Sequence, residues 1–147
     1  MEFSMNTNFF QAQIDHGPDP YVTNAAQKAV QNSYFRQTLW TGKHFQMTLM
    51  CIPVCASVGL EIHEDTDQIL KVEQGMALVK MGKNKCELDF QQEVCTGDTI
   101  FVPAGTWHNI MNTGWTPLKL SVLYAPPHHP SGTIHCTKED AEKDAHS

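Results

Sequence analysis

The feature that most constrains this chain is its punctuation. From Phe45 to the Pro126-Pro127 pair, short runs of β-forming residues are cut by Gly, Pro, Asn and Asp at close intervals. Runs this short read as the strands of an antiparallel sandwich or barrel. The spacing predicts strands over Gln46–Ile52, Leu60–His63, Gln68–Glu73, Met76–Met81, Glu87–Phe90, Thr99–Val102, His108–Asn112 and Leu118–Tyr124, about the number an eight-stranded jelly roll needs. Gly75 separates two of them, Gly82-Lys83-Asn84-Lys85 reads as a polar hairpin, and Gly97-Asp98 and Asn112-Thr113-Gly114 punctuate the rest.

Alternation along a strand tells which side chains share a face. Glu61 and His63 point together, and Gln68 shares an inner face with Leu70 and Val72 while Lys71 and Glu73 take the outer one. In the last strand Leu118, Leu120, Val122 and Tyr124 line one interior. The barrel therefore has a partly polar inside. Residues 1–40 read as an extension with a short helix near Asn24–Gln31, residues 41–127 as the barrel, and residues 128–147 as a second extension whose charged helix is capped by Thr137.

Ten basic residues against sixteen acidic ones give a formal charge of −6. No clustered basic face is available for nucleic acid or an anionic membrane. The longest apolar runs fall far short of the ~20 residues that span a bilayer, and Met1-Glu2-Phe3-Ser4-Met5 lacks the start of a signal peptide, which points to the cytoplasm. Five cysteines, an odd number without a Cys-x-x-Cys pair, read as reduced thiols buried as small hydrophobes. The tryptophans, Trp115 included, read as packing residues.

The chemistry-bearing stretch is Gly97-Asp98-Thr99-Ile100-Phe101-Val102-Pro103-Ala104-Gly105-Thr106-Trp107-His108-Asn109-Ile110-Met111-Asn112. A turn leads into an apolar strand, and Pro103 and Gly105 then reverse the chain so that His108 is delivered inward. The stretch resembles the second motif of the cupin superfamily: Gly, five residues, Pro, one, Gly, two, His, three, Asn. Every fixed position matches. The span from about Thr41 to Glu142 resembles small single-domain cupins often labelled mannose-6-phosphate-isomerase-like, and the resemblance implies an all-β double-stranded β-helix, a jelly-roll barrel with short peripheral helices.

The superfamily's first motif reads His, one, His, four, Glu, six, Gly. Counting back from Gly75, the resemblance implies Glu61, His63 and Gln68 as metal ligands, with His108 as the fourth. Glu61 and Gln68 depart from the pattern, and Cys55 stands where its opening Gly falls. A competing frame pairs His63 with Asp65, although Glu64-Asp65-Thr66-Asp67 reads as a polar turn. Carboxylate, imidazole and amide donors suit a divalent transition metal (Fe, Mn, Ni, Zn or Co). His128, His129 and His135 follow the last strand and read as surface or mouth-lining residues.

A metal so held admits two reaction classes, oxygen activation by a dioxygenase and proton transfer on a hydroxy-carbonyl compound or carboxylate by an isomerase. A non-catalytic small-ligand-binding protein is the different-class alternative. General-base candidates are Tyr124, His44 or a histidine of the 128–135 cluster. A phosphosugar isomerase needs a basic group in the cavity, and Lys71, Lys80 and Lys119 have outward or uncertain parity. The expected partner is a small molecule, and the resemblance implies a homodimer.

Overall fold

The computed structural model describes residues 14–145. Met1–Met5 and His146 lie outside the described residues. The elements are α1 (Ala25–Gln31), β1 (Arg36–Thr41), β2 (Gln46–Ile52), β3 (Asp67–Gln74), β4 (Met76–Gly82), β5 (Phe90–Cys95), β6 (Thr99–Val102), β7 (Trp107–Asn112), β8 (Leu118–Ala125), β9 (Ile134–His135) and α2 (Lys138–Ala145). A six-stranded sheet, ordered β6-β3-β8-β2-β1-β9, and a three-stranded sheet, β5-β4-β7, hold one apolar core between them. All strand pairs are antiparallel. The fold is the double-stranded β-helix.

Period-two burial explains this arrangement. On β3 the residues Gln68, Leu70 and Val72 are buried and Lys71 is exposed; on β4 Ala77, Val79 and Met81 are buried. Each fully buried aliphatic side chain contributes about 1.5–3 kcal/mol relative to exposure. The strand β8 is buried on both faces: Leu118, Leu120, Val122 and Tyr124 enter the core, while Lys119 donates to the Asn32 carbonyl and Ser121 Oγ to Glu73 Oε2 at 2.7 Å. On the outer face of the large sheet, Ala29 of α1 packs with Leu39 and Leu49.

Both helices begin on side-chain caps. Asn24 Oδ1 accepts from the Gln27 amide at 2.9 Å. At α2, Thr137 Oγ1 accepts from the Asp140 amide while Asp140 Oδ2 accepts from the Thr137 amide, at 3.1 and 3.2 Å, a reciprocal arrangement that satisfies free donors at a helix start. Among the described residues, no helix is long and apolar enough to cross a membrane.

Several sequence expectations are corrected. Leu60–His63 is not a strand: it touches β7 through one isolated bridge at Glu61, separated from another at Ser57 by Gly59 at φ +106°, which breaks the ladder between them. The strand expected over Glu87–Phe90 lies at Phe90–Cys95, and Glu87 makes a single bridge to Asn84. Two strands, β1 and β9, were not among those expected. Cys55, Cys86, Cys95 and Cys136 are exposed and Cys51 is half-buried, so thiols do not fill the core. Trp115 is 93% exposed, in the turn before β8.

Candidate metal centre

The centre is built where two turns are laced together. The Gly105 amide, in a left-handed conformation at φ +76°, donates to the His63 carbonyl at 2.8 Å, and the Ala104 amide donates to Asp67 Oδ1 at 2.9 Å. Glycine occupies such backbone freely. Glu61 and His108 then exchange both backbone hydrogen bonds at 3.0 Å, which sets the two residues opposite one another. Asn112, the last residue of the second motif, donates through Nδ2 to the carbonyls of Ile52, Pro53 and Thr116 and accepts from the Gly114 amide through Oδ1. Its work is to fasten the end of β2 to the turn after β7.

Glu61, His63 and His108 offer ligand atoms that all lie within 4.8 Å of one another. Glu61 Oε1 stands 3.3 Å from His63 Nε2 and 3.6 Å from His108 Nε2, with the side chains 30%, 9% and 1% exposed in that order. His108 Nδ1 lies 3.0 Å from the Thr106 carbonyl. A carbonyl can only accept, so Nδ1 carries a proton and Nε2 is directed into the site. That Nε2 is buried with no hydrogen-bond partner. Burial alone would raise the Glu61 carboxyl, but its contacts with His108 and His63 and the positive charge of His63 and Arg36 hold it well below the usual carboxylate range.

Gln68 is 2% exposed, and its Oε1 is likewise buried and unpartnered. It pairs directly across the sheet with Tyr124, so the two side chains share a face, and the Tyr124 ring lies 6.0 Å from that of His63. Burial raises the Tyr124 phenol above its ordinary value. Asp65 is exposed in its turn, outside the group formed by Glu61, His63 and His108. His44 is exposed in the turn between β1 and β2, also outside that group.

Histidines 128 and 129 close over this centre. The His128 ring lies 4.2 Å from His63 and 5.6 Å from Tyr124, and His129 lies 5.2 Å from Tyr124 and 6.1 Å from His135. Burial and the charge of Arg36 pull His129 down to about 2; burial and His63 lower His128. The loop is held by Gln46, whose Oε1 accepts from the amides of His128 and His129 and whose Nε2 donates to the His129 carbonyl and to Thr41 Oγ1. A cavity of about 660 Å³ opens between this loop, Arg36, Glu61 and helix α2.

Sequence reasoning missed Arg36 and Gln46. The signal was present in Thr38-Leu39-Trp40-Thr41, a β-forming run just before Gly42, which with Gln46–Ile52 reads as a hairpin.

The Cupin domain family matches residues 48–124. The chain is a cupin. It is 57% identical to the protein YrkC of Bacillus subtilis (strain 168) over 127 residues, which cover 86% of this chain and 68% of that protein. The crystal structure of BH2720 from Bacillus halodurans superposes with a TM-score of 0.88 at 52% identity, covering 88% of this cupin and 98% of that chain. A predicted oxalate decarboxylase from Thermotoga maritima is 26% identical, with a TM-score of 0.50, over 57% of this cupin and 68% of that chain. Family membership also accounts for Cys55: its φ of +67° is the left-handed conformation for which the family's pattern carries glycine.

Proposed function

We propose that Glu61, His63, Gln68 and His108 hold one divalent transition metal (Fe, Mn, Ni, Zn or Co), and that this cupin is an enzyme acting on a small oxygenated molecule. The substrate is a hydroxy-carbonyl compound or a carboxylate. The observation that carries the reading is a pair of buried acceptors without partners, His108 Nε2 and Gln68 Oε1. Unmet polar atoms in a packed interior cost about 1–3 kcal/mol each, and a cation beside the ionised Glu61 would satisfy them.

When bound, the metal supplies Lewis acidity, and a redox-active ion adds the oxygen chemistry of a dioxygenase. The chain's own residues do the rest. The hydrogen bond from His108 Nδ1 to Thr106 fixes ring and tautomer. The Tyr124 phenol, raised by burial, would donate a hydrogen bond to an oxygen of the substrate rather than act as a base. His128, lowered and only partly covered, is the better acceptor of a substrate proton at the cavity wall. The predicted oxalate decarboxylase among the similar structures supports the carboxylate class. Two copies pair as a homodimer in this reading, which light scattering tests.

Elemental analysis of the native protein beside Glu61→Ala, His63→Ala, His108→Ala and Asp65→Ala tests the centre. The first three are expected to lose most of the ion and Asp65→Ala to keep it. Retention of the ion by His108→Ala overturns the reading. Oxygen uptake on a panel of small acids then separates the dioxygenase from chemistry that leaves oxygen untouched.

A further inference from the structure

We propose that Arg36 anchors a carboxylate of the substrate, so that this cupin acts on a small carboxylic acid and not on a neutral hydroxy-carbonyl compound. The inference rests on the reading above that the cavity over Glu61 receives the substrate.

Arg36 lines that cavity together with Glu61, His129 and His135. It is 6% exposed, and among the described residues no carboxylate lies within ion-pair distance of it. Its Nη1 donates to His135 Nδ1 at 3.2 Å, its Nη2 lies 4.0 Å from Met50 Sδ, and the guanidinium also interacts with the Tyr124 hydroxyl. Its Nε is buried with no partner. An unpaired buried cation is costly unless an anion meets it.

Arg36 is braced rather than neutralised. Because a guanidinium only donates, His135 must accept at Nδ1 and carry its proton on Nε2, which lies 2.8 Å from Asp144 Oδ2. The chain of contacts from Asp144 through His135 fixes the plane of the guanidinium while leaving its Nε without a partner. Nε–H and the Nη2–H beside it, the latter held only by a long contact to a sulfur and an interaction with the Tyr124 hydroxyl, form the kind of fork that pairs with a planar carboxylate through two parallel hydrogen bonds. His129 Nε2, also buried and unpartnered, shares the same wall.

The wall decides between anions. A phosphate brings a charge of about −1.5 to −2, whereas this cavity is also lined by Glu142 and Asp144. The second cation on the wall, Lys138, is engaged through Nζ with Ser57 Oγ at 3.2 Å. One guanidinium opposite acidic groups suits a single carboxylate.

Isothermal titration of the Mn-loaded full chain with malonate, dihydroxyacetone and inorganic phosphate tests this, with metal content measured in every sample. Malonate is expected to bind, and the other two at least about tenfold more weakly; Arg36→Gln is expected to weaken malonate about tenfold at unchanged metal content. Arg36→Lys keeps a charge without the fork and is expected to fall between them, which supplies the comparison if the Gln variant does not melt cooperatively. Equal malonate affinity in wild type and variant overturns the proposal, as does dihydroxyacetone or phosphate binding as tightly as malonate. If the wild type takes up no metal, the reading of the centre fails instead, and titration of the metal-free protein still decides the role of Arg36.

Discussion

Two of the cavities among the described residues have walls that differ. One, of about 390 Å³, is lined by Val79, Met81, Phe90, Val94, Ile100 and Phe101 with few polar neighbours, and strands supply most of its wall. The other, of about 660 Å³, is bounded by the irregular segment from Val58 to Glu61, the loop carrying His128 and His129, and helix α2. The first is shaped by cross-strand ladders and apolar contact. The wall of the second depends on side chains bonding across segments: Gln46 on the backbone of the histidine loop, Lys138 on Ser57 and His135 on Asp144. Irregular walls can converge polar atoms on one point, which a pleat with period two cannot do over so short a distance.

The contrast can be broken by substitution. The largest effect is expected at the strand-walled cavity: Ile100→Ala removes a side chain only 5% exposed and is expected to cost about 2–5 kcal/mol. Urea denaturation reads that loss, and metal per folded molecule should not change. Next, Gln68→Ala is expected to lower metal affinity about 10–100-fold in a competition titration with a chelator, with a much smaller change in the urea midpoint. A metal affinity that follows Ile100→Ala and ignores Gln68→Ala would erase the distinction.

Smaller effects sharpen it. Cys55→Gly relieves the left-handed backbone ahead of the Glu61 segment and is expected to stabilise by about 0.5–1 kcal/mol, whereas Cys86→Gly is not; paired thermal melts compare them. Burial raises the Asp15 carboxyl, but hydrogen bonds from Thr41, Thr38, Gly17 and Ser131 outweigh it and hold the group below its ordinary value of 3.8. A depressed folded value means that the stabilisation is complete above the unfolded value and fades as pH falls through the folded one. Wild type should therefore exceed Asp15→Asn by less than about 1 kcal/mol near neutrality. The gap should close in acid, as measured by urea midpoints from neutral pH down to about 3.

How far the strands were legible depended on their surroundings. β2, β3, β4, β6, β7 and β8 carry alternating or continuous apolar residues between turn formers, so their existence could be read directly. β5, Phe-Gln-Gln-Glu-Val-Cys, has a single buried residue and escaped because an edge strand need not show an apolar face. β1 escaped because its buried residues include the polar Arg36, Gln37 and Thr38, and the partners of Arg36 and Thr38 lie more than 90 residues along the chain. The histidines at 128, 129 and 135 had no periodicity to mark them: the position of the first two follows from Gln46, more than 80 residues away in sequence, and that of His135 from its pairing with Arg36.

By itself the sequence determined the antiparallel β-architecture, the turn that turns His108 inward and the ligand types to look for, because period-two burial and Gly or Pro backbone preferences are local. Tertiary structure alone decided that Glu61 lies opposite His108, that Arg36 stands unpaired in the same cavity, and that α2 forms its wall. Each of those depends on chain segments distant in sequence meeting across the sandwich, and no local preference records which partner a buried polar atom will find.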